Sequence, residues 1–182
     1  MKKLVLSAVF IAVASFVTVA QTTVPSTTVV LKAAYEQADK ENKKVFVLFH
    51  ASWCGWCHKM DTSMNDPVCK KFFQDNYVIV HLVVSESKEK KHLENPGAEE
   101  MKTAHYGEGQ GIPFWLVLDK DGQLLADSKF RKEGESAEEG ENIGCPASEA
   151  EVEHFIRILR KTSSITDRQE ELIKKRFRKN DL

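Results

Sequence analysis

Cys54 and Cys57, within the run FHASWCGWCH at residues 49 to 58, are the side chains of this 182-residue chain whose type and spacing imply chemistry. Two thiols at that spacing can close a redox disulfide, supply half of a zinc site or tether a c-type haem. His58, directly after the pair, completes the C-x-x-C-H haem-attachment pattern. Zinc would need four ligands, and the other two cysteines, Cys69 and Cys145, stand alone rather than as a second pair. Haem would need an axial partner, for which Met60, Met64 and Met101 are the candidates. The elements that carry the pair have to decide.

Those elements favour thiol chemistry. VFVLF at 45–49 is an unbroken apolar run, the habit of a strand buried on both faces. The cysteines follow it after a few residues, and CHKMDTSM then reads as a helix. A thiol at a helix N-terminus meets free N–H groups and a partial positive charge, which stabilise its thiolate. Cys54 is thereby the attacking thiol, at the exposed end of the helix with a lowered pKa, and Cys57, one turn deeper, is the shielded thiol that resolves a mixed disulfide.

The rest of the chain reads as one mixed α/β domain. VVLKAAYEQADKENKK places Leu31, Ala34, Tyr35 and Ala38 on one helical face. DPVCKKFF reads as a second helical turn or a continuation of the helix after the cysteines, with Asp66 as an N-cap and Pro67 at the first helical position, and YVIVHLVV at 77–84 as a second strand. A short helix at Ala98–His105 precedes a hairpin: strand Phe114–Leu118, a turn through Asp121-Gly122, then strand Gln123–Asp127. Residues 131 to 144, acidic and glycine-rich, read as loop. Ser148-x-x-Glu151 and Thr166-x-x-Gln169 are capping boxes that open two last helices. The second of these carries Leu172, Ile173 and Phe177 on one side, a stripe that must be buried because a short lone helix is marginal in water. The strands before the hairpin need helical crossovers and so run parallel, and the hairpin adds an antiparallel pair.

The chain opens with Lys2-Lys3 and an apolar run to Ala20, the pattern of a secretory signal peptide. Cleavage after Ala20 is expected, with Ala14 as the alternative cut and an uncleaved membrane anchor as the rival reading. Cleavage would leave 162 residues and, with two lysines lost, take the net charge from −1 to about −3. The organisation expected is signal peptide 1–20, polar linker 21–28, main domain 29–162 and a C-terminal helical extension 163–182. Outside the cytosol disulfides persist. Four cysteines are too few to build a fold, so the pair is there for reactivity. The late basic cluster at Lys174, Lys175, Arg176, Arg178 and Lys179 is interleaved with acids and lacks aromatic partners, which argues against nucleic acid.

VFVLFHASWCGWCHKM together with GIPFWLVLDKDGQLL resembles the thioredoxin superfamily, through W-C-x-x-C and the downstream Ile-Pro. The stretch from about residue 29 is similar to the C-terminal domain of periplasmic thiol:disulfide interchange proteins. The resemblance implies a thioredoxin-like fold, a mixed central sheet with helices on both faces, here with an extra C-terminal helix. It implies that Cys54 and Cys57 are catalytic, that Ile112-Pro113 is a cis peptide against them, and that the backbone beside Pro113 pairs with an extended substrate. Trp53, Trp56, Ile112 and Pro113 then form the substrate-binding surface, with His58 modulating the thiolate.

The function implied is an exported, periplasmic or extracellular protein disulfide oxidoreductase with no cofactor or metal, reduction being slightly favoured. Its partners would be protein thiols and disulfides and an upstream redox protein, with no nucleic acid, no membrane insertion after cleavage, and a monomeric state. Two departures from the family matter. Leu48 stands where thioredoxins carry a buried acid, and Trp56 where thioredoxin has proline. A thioredoxin-fold binding or chaperone module without turnover is the alternative, and a c-type haem protein the minor one. Cys69 and Cys145 are read as unpaired thiols, with a bond between them left open.

Overall fold

The computed structural model describes residues 23–181. The expected signal peptide, and with it Gln21 and Thr22, lies outside the described residues. The chain runs α1 (Thr27–Glu41), β1 (Lys44–His50), α2 (Gly55–Met64), α3 (Lys70–Asn76), β2 (Tyr77–Val83), α4 (Ala98–Ala104), β3 (Phe114–Leu118) and β4 (Leu124–Asp127). A two-residue pair, β5 (Lys129–Phe130) and β6 (Glu141–Asn142), then precedes α5 (Glu149–Thr162) and α6 (Asp167–Phe177).

Four strands form one mixed sheet in the order β2-β1-β3-β4. β1 pairs parallel to β2 and antiparallel to β3, and the β3–β4 hairpin closes the other side. β1 is therefore an inner strand with both faces covered, which is why its sequence is apolar without alternation. Phe46 and Leu48 face one way, into a core with Trp115, Val117, Phe73, Phe155 and Leu159. Val45, Val47 and Phe49 face the other, against Leu31, Ala34 and Ala38 of α1. Helices thus cover both faces of the sheet.

Local chemistry sets most boundaries. α1 begins at Thr27, inside the stretch read as linker, because the Ser26 hydroxyl accepts the Val29 N–H and caps it. It ends at Asn42, whose left-handed backbone (φ 53°) turns the chain into β1. The capping boxes at Ser148/Glu151 and Thr166/Gln169 are both formed.

Two expectations are corrected. Asp66 does not cap α3: its Oδ1 accepts the Val68 N–H and its carbonyl accepts from Cys69 and Lys70, so residues 66–69 make a turn and the helix starts at Lys70. The acidic stretch 131–144 is not wholly loop, because β6 within it pairs antiparallel with β5.

α6 packs on its own chain. Ile173 and Phe177 are fully buried in the core that holds Phe73 and Phe155, whose rings lie 6.4 and 5.1 Å from that of Phe177. Arg160 of α5 donates two hydrogen bonds to Glu170 (2.8 and 2.6 Å), and Arg176 pairs with Asp66. Beyond the helix, Asn180 is buried, donating to Ser63 Oγ of α2 and to the Pro146 carbonyl. Among the described residues no helix is long and apolar enough to cross a membrane.

Candidate active site

β1 delivers the chain to the site. After His50 the backbone turns at Ser52 and Trp53 and enters α2, with Cys54 as its N-cap. The cap is a sulfur: Cys54 Sγ accepts the Cys57 N–H at 3.1 Å. Cys54 and Cys57 are joined in a disulfide. Both sulfurs are more enclosed than the sequence suggested for Cys54. That residue is only 3% exposed and Cys57 not at all, so the asymmetry is kept but the expected open thiol is a nearly covered one. Ala51 and Ile112 supply the cover.

The loop before β3 closes the site from the other side. The Ile112–Pro113 peptide is cis, and the Ile112 carbonyl oxygen lies 3.6 Å from Cys54 Sγ. Trp53 and Trp56 flank the disulfide with 60% and 47% of their surfaces exposed. Trp53 is held by its indole N–H, which donates to the Ser85 carbonyl, and Trp56 is overlain by the Lys59 ammonium 4.3 Å from its ring centroid. His58 is exposed, its Nε2 3.2 Å from the Ser52 carbonyl oxygen. Leu48, at the position where the resemblance implied a departure, is fully buried on the Phe46 face of the sheet.

Two supports had no local sequence signal. Glu86, after β2, accepts the Ser52 N–H (2.5 Å) and hydroxyl (2.9 Å), pinning the turn that leads into Cys54. That backbone hydrogen bond holds its carboxyl below the usual carboxylate range. Asn142 of β6 donates from its side-chain amide to the carbonyls of Gly111 (2.8 Å) and Pro113 (3.0 Å). Both residues lie in polar runs that read as solvated loop.

The other cysteines are free thiols, both buried. Burial pushes Cys69 up to about 11 and Cys145 up to about 12, so neither is a nucleophile near neutral pH. Among the described residues no cluster of three or more His, Cys, Asp or Glu is placed to hold a metal.

A thioredoxin-like family model matches residues 27–120, just over half of the chain. The chain belongs to the thioredoxin-like family. Similar solved structures include a disulphide isomerase from Xylella fastidiosa Temecula1, 20% identical over 64% of this chain and 80% of that one, with a TM-score of 0.45. A DsbH oxidoreductase is 20% identical, covering 85% of this chain and 95% of its own, with a TM-score of 0.42. A thioredoxin-family thiol:disulfide interchange protein from Chlorobium tepidum TLS is 23% identical over 69% and 83%, at 0.38. No curated protein matches the chain. Family membership and the Cys54–Cys57 disulfide at a helix N-terminus together support thiol–disulfide oxidoreductase activity.

Proposed function

We propose that the protein is an exported oxidoreductase that exchanges its Cys54–Cys57 disulfide with protein thiols and disulfides, with reduction of substrates the favoured direction. The observation that carries this reading is the Cys57 N–H aimed at Cys54 Sγ, because that donor favours a thiolate at Cys54 in the reduced state. The Cys54 thiolate attacks a substrate disulfide, forms a mixed disulfide and expels one substrate thiolate. Cys57 loses its proton and attacks Cys54 Sγ, releasing the second substrate thiolate and restoring the Cys54–Cys57 bond. The substrate gains two electrons and the enzyme loses two. An upstream redox protein returns them by the same exchange in reverse.

Trp53 and Trp56 are the apolar docking surface beside the thiols, and Ile112 and Pro113 offer the backbone edge along which an extended substrate lies. Exposed His58, when protonated, raises the thiolate fraction at Cys54. The buried Leu48 leaves the proton on Cys57 without a neighbouring acid at that position, which favours slower turnover than in thioredoxins. The unit proposed to carry this function is the domain expected at 29–162, extended to Thr27 where α1 begins and joined by α6, which shares its core; a leader 1–20 precedes it, and it acts as a monomer.

Redox titration with alkylation and mass spectrometry is expected to give a two-electron couple confined to Cys54 and Cys57, and a pair that stays reduced under oxidising buffers refutes it. Cys57→Ser is expected to trap mixed disulfides with client proteins through Cys54, while Cys54→Ser traps few; equal trapping reverses the assigned roles. Two exposed tryptophans also suit binding without turnover, and an insulin-reduction assay separates the readings, since a binding module reduces nothing.

A further inference from the structure

We infer that Asn142 is a positioning residue that fixes the Ile112 edge at which substrate docks, an inference that rests on the oxidoreductase reading above. The loop 110–113 has little to hold it: β3 begins only at Phe114, and Pro113 has no N–H to give. Asn142 supplies the missing restraint. Its amide NH2 donates to the Gly111 carbonyl at 2.8 Å and the Pro113 carbonyl at 3.0 Å, one on each side of Ile112. Its own backbone N–H donates to Gln110 Oε1 at 3.1 Å. The amide cannot turn over without loss, because its Oδ1 accepts the Gly144 N–H at 3.0 Å.

Ile112 itself is left free. Among the described residues no hydrogen bond takes its N–H, and its carbonyl oxygen faces Cys54 Sγ. One side chain therefore occupies the two flanking carbonyls and leaves the donor and acceptor nearest the disulfide for an extended strand. Asn142 can do this because β6 is tied to the sheet: it pairs with β5, the Ile143 N–H donates to Ser128 O at 2.9 Å, and the Trp115 indole donates to Gly144 O at 2.9 Å. The same segment walls a groove of about 460 Å³ between Trp56 and the Ile112–Pro113 loop. The stretch after the hairpin is thus a brace that reaches back to the substrate edge.

Asn142→Asp is the test, since it keeps the shape and the acceptor for Gly144 but replaces two donors with a carboxylate facing two carbonyls. With insulin as substrate, kcat/KM is expected to fall at least tenfold, carried by KM, while the equilibrium constant of Cys54–Cys57 against glutathione stays within twofold. Nuclear spin relaxation is expected to take the Ile112 amide order parameter from about 0.85, typical of rigid backbone, to below about 0.6. An unchanged KM overturns the inference, and so does a parallel shift of kcat and the glutathione equilibrium, which marks general damage. If the wild type reduces no insulin, the oxidoreductase reading fails. The order parameter still decides the role of Asn142, because a value near 0.85 in the variant refutes the brace.

Discussion

Phe177→Ala tests whether α6 belongs to the same cooperative unit as the active-site domain. The ring is fully buried, 5.1 Å from Phe155 and 6.4 Å from Phe73, so truncation opens a cavity between α6, α5 and α3 rather than a surface notch. Phe→Ala at a site of this kind costs about 3–5 kcal/mol. For a domain of this size each kcal/mol moves Tm by about 2–4 °C, which gives a fall of about 6–20 °C. Urea denaturation should register the loss as a lower midpoint with unchanged slope, the mark of a weaker but still single transition. Lys175→Ala, on the exposed side of the same helix, is the control and is expected to stay within about 0.5 kcal/mol of wild type. A Phe177→Ala shift below about 2 °C, or a separate early transition, would sink the reasoning: α6 would then be an appendage that docks without contributing to the core.

After reduction of the protein, iodoacetamide at pH 8 should label Cys54 while Cys69 and Cys145 stay unmodified until the chain is unfolded. With thiols pushed to about 11 and about 12, their thiolate fractions are roughly one in a thousand and one in ten thousand at that pH; rapid native labelling of Cys69 would show that its burial is misread. Glu86 should confer a stability on the wild type over Glu86→Gln that depends on pH. Its carboxyl is held below the usual range in the fold, so the contribution is present above the unfolded value near 4.3 and fades as pH falls through the lower folded value. Thermal melts of both proteins from pH 7 to pH 3 check this, and a gap that widens on acidification contradicts the sign.

Much of the protein could be read from the chain because the signals involved are local. The run 45–49 declared an inner strand by its lack of alternation, Asp121-Gly122 declared the hairpin, and two capping boxes declared α5 and α6 within four residues each. The W-C-G-W-C stretch carried its own context, since the N-terminal end of α2 that polarises Cys54 is built by the residues that follow it.

What the sequence could not decide was set by contacts between distant segments. The strand order β2-β1-β3-β4 depends on which sheet edges meet, and apolar runs carry no label for their neighbours. The cover over Cys54 comes from Ile112, 58 positions away, and the turn before it is held by Glu86, 34 positions away. Glu86 and Asn142 sit in charged and polar runs that look the same whether their side chains meet water or backbone. The stripe on α6 required a buried partner but did not say which one, and Phe73 and Phe155 answered only once the helices were packed. Periodicity and caps fix what a segment becomes, because they act through bonds and contacts within a turn or two of chain. Which polar group meets which depends on the path of the whole backbone, and that is decided only when the two cores close on the sheet.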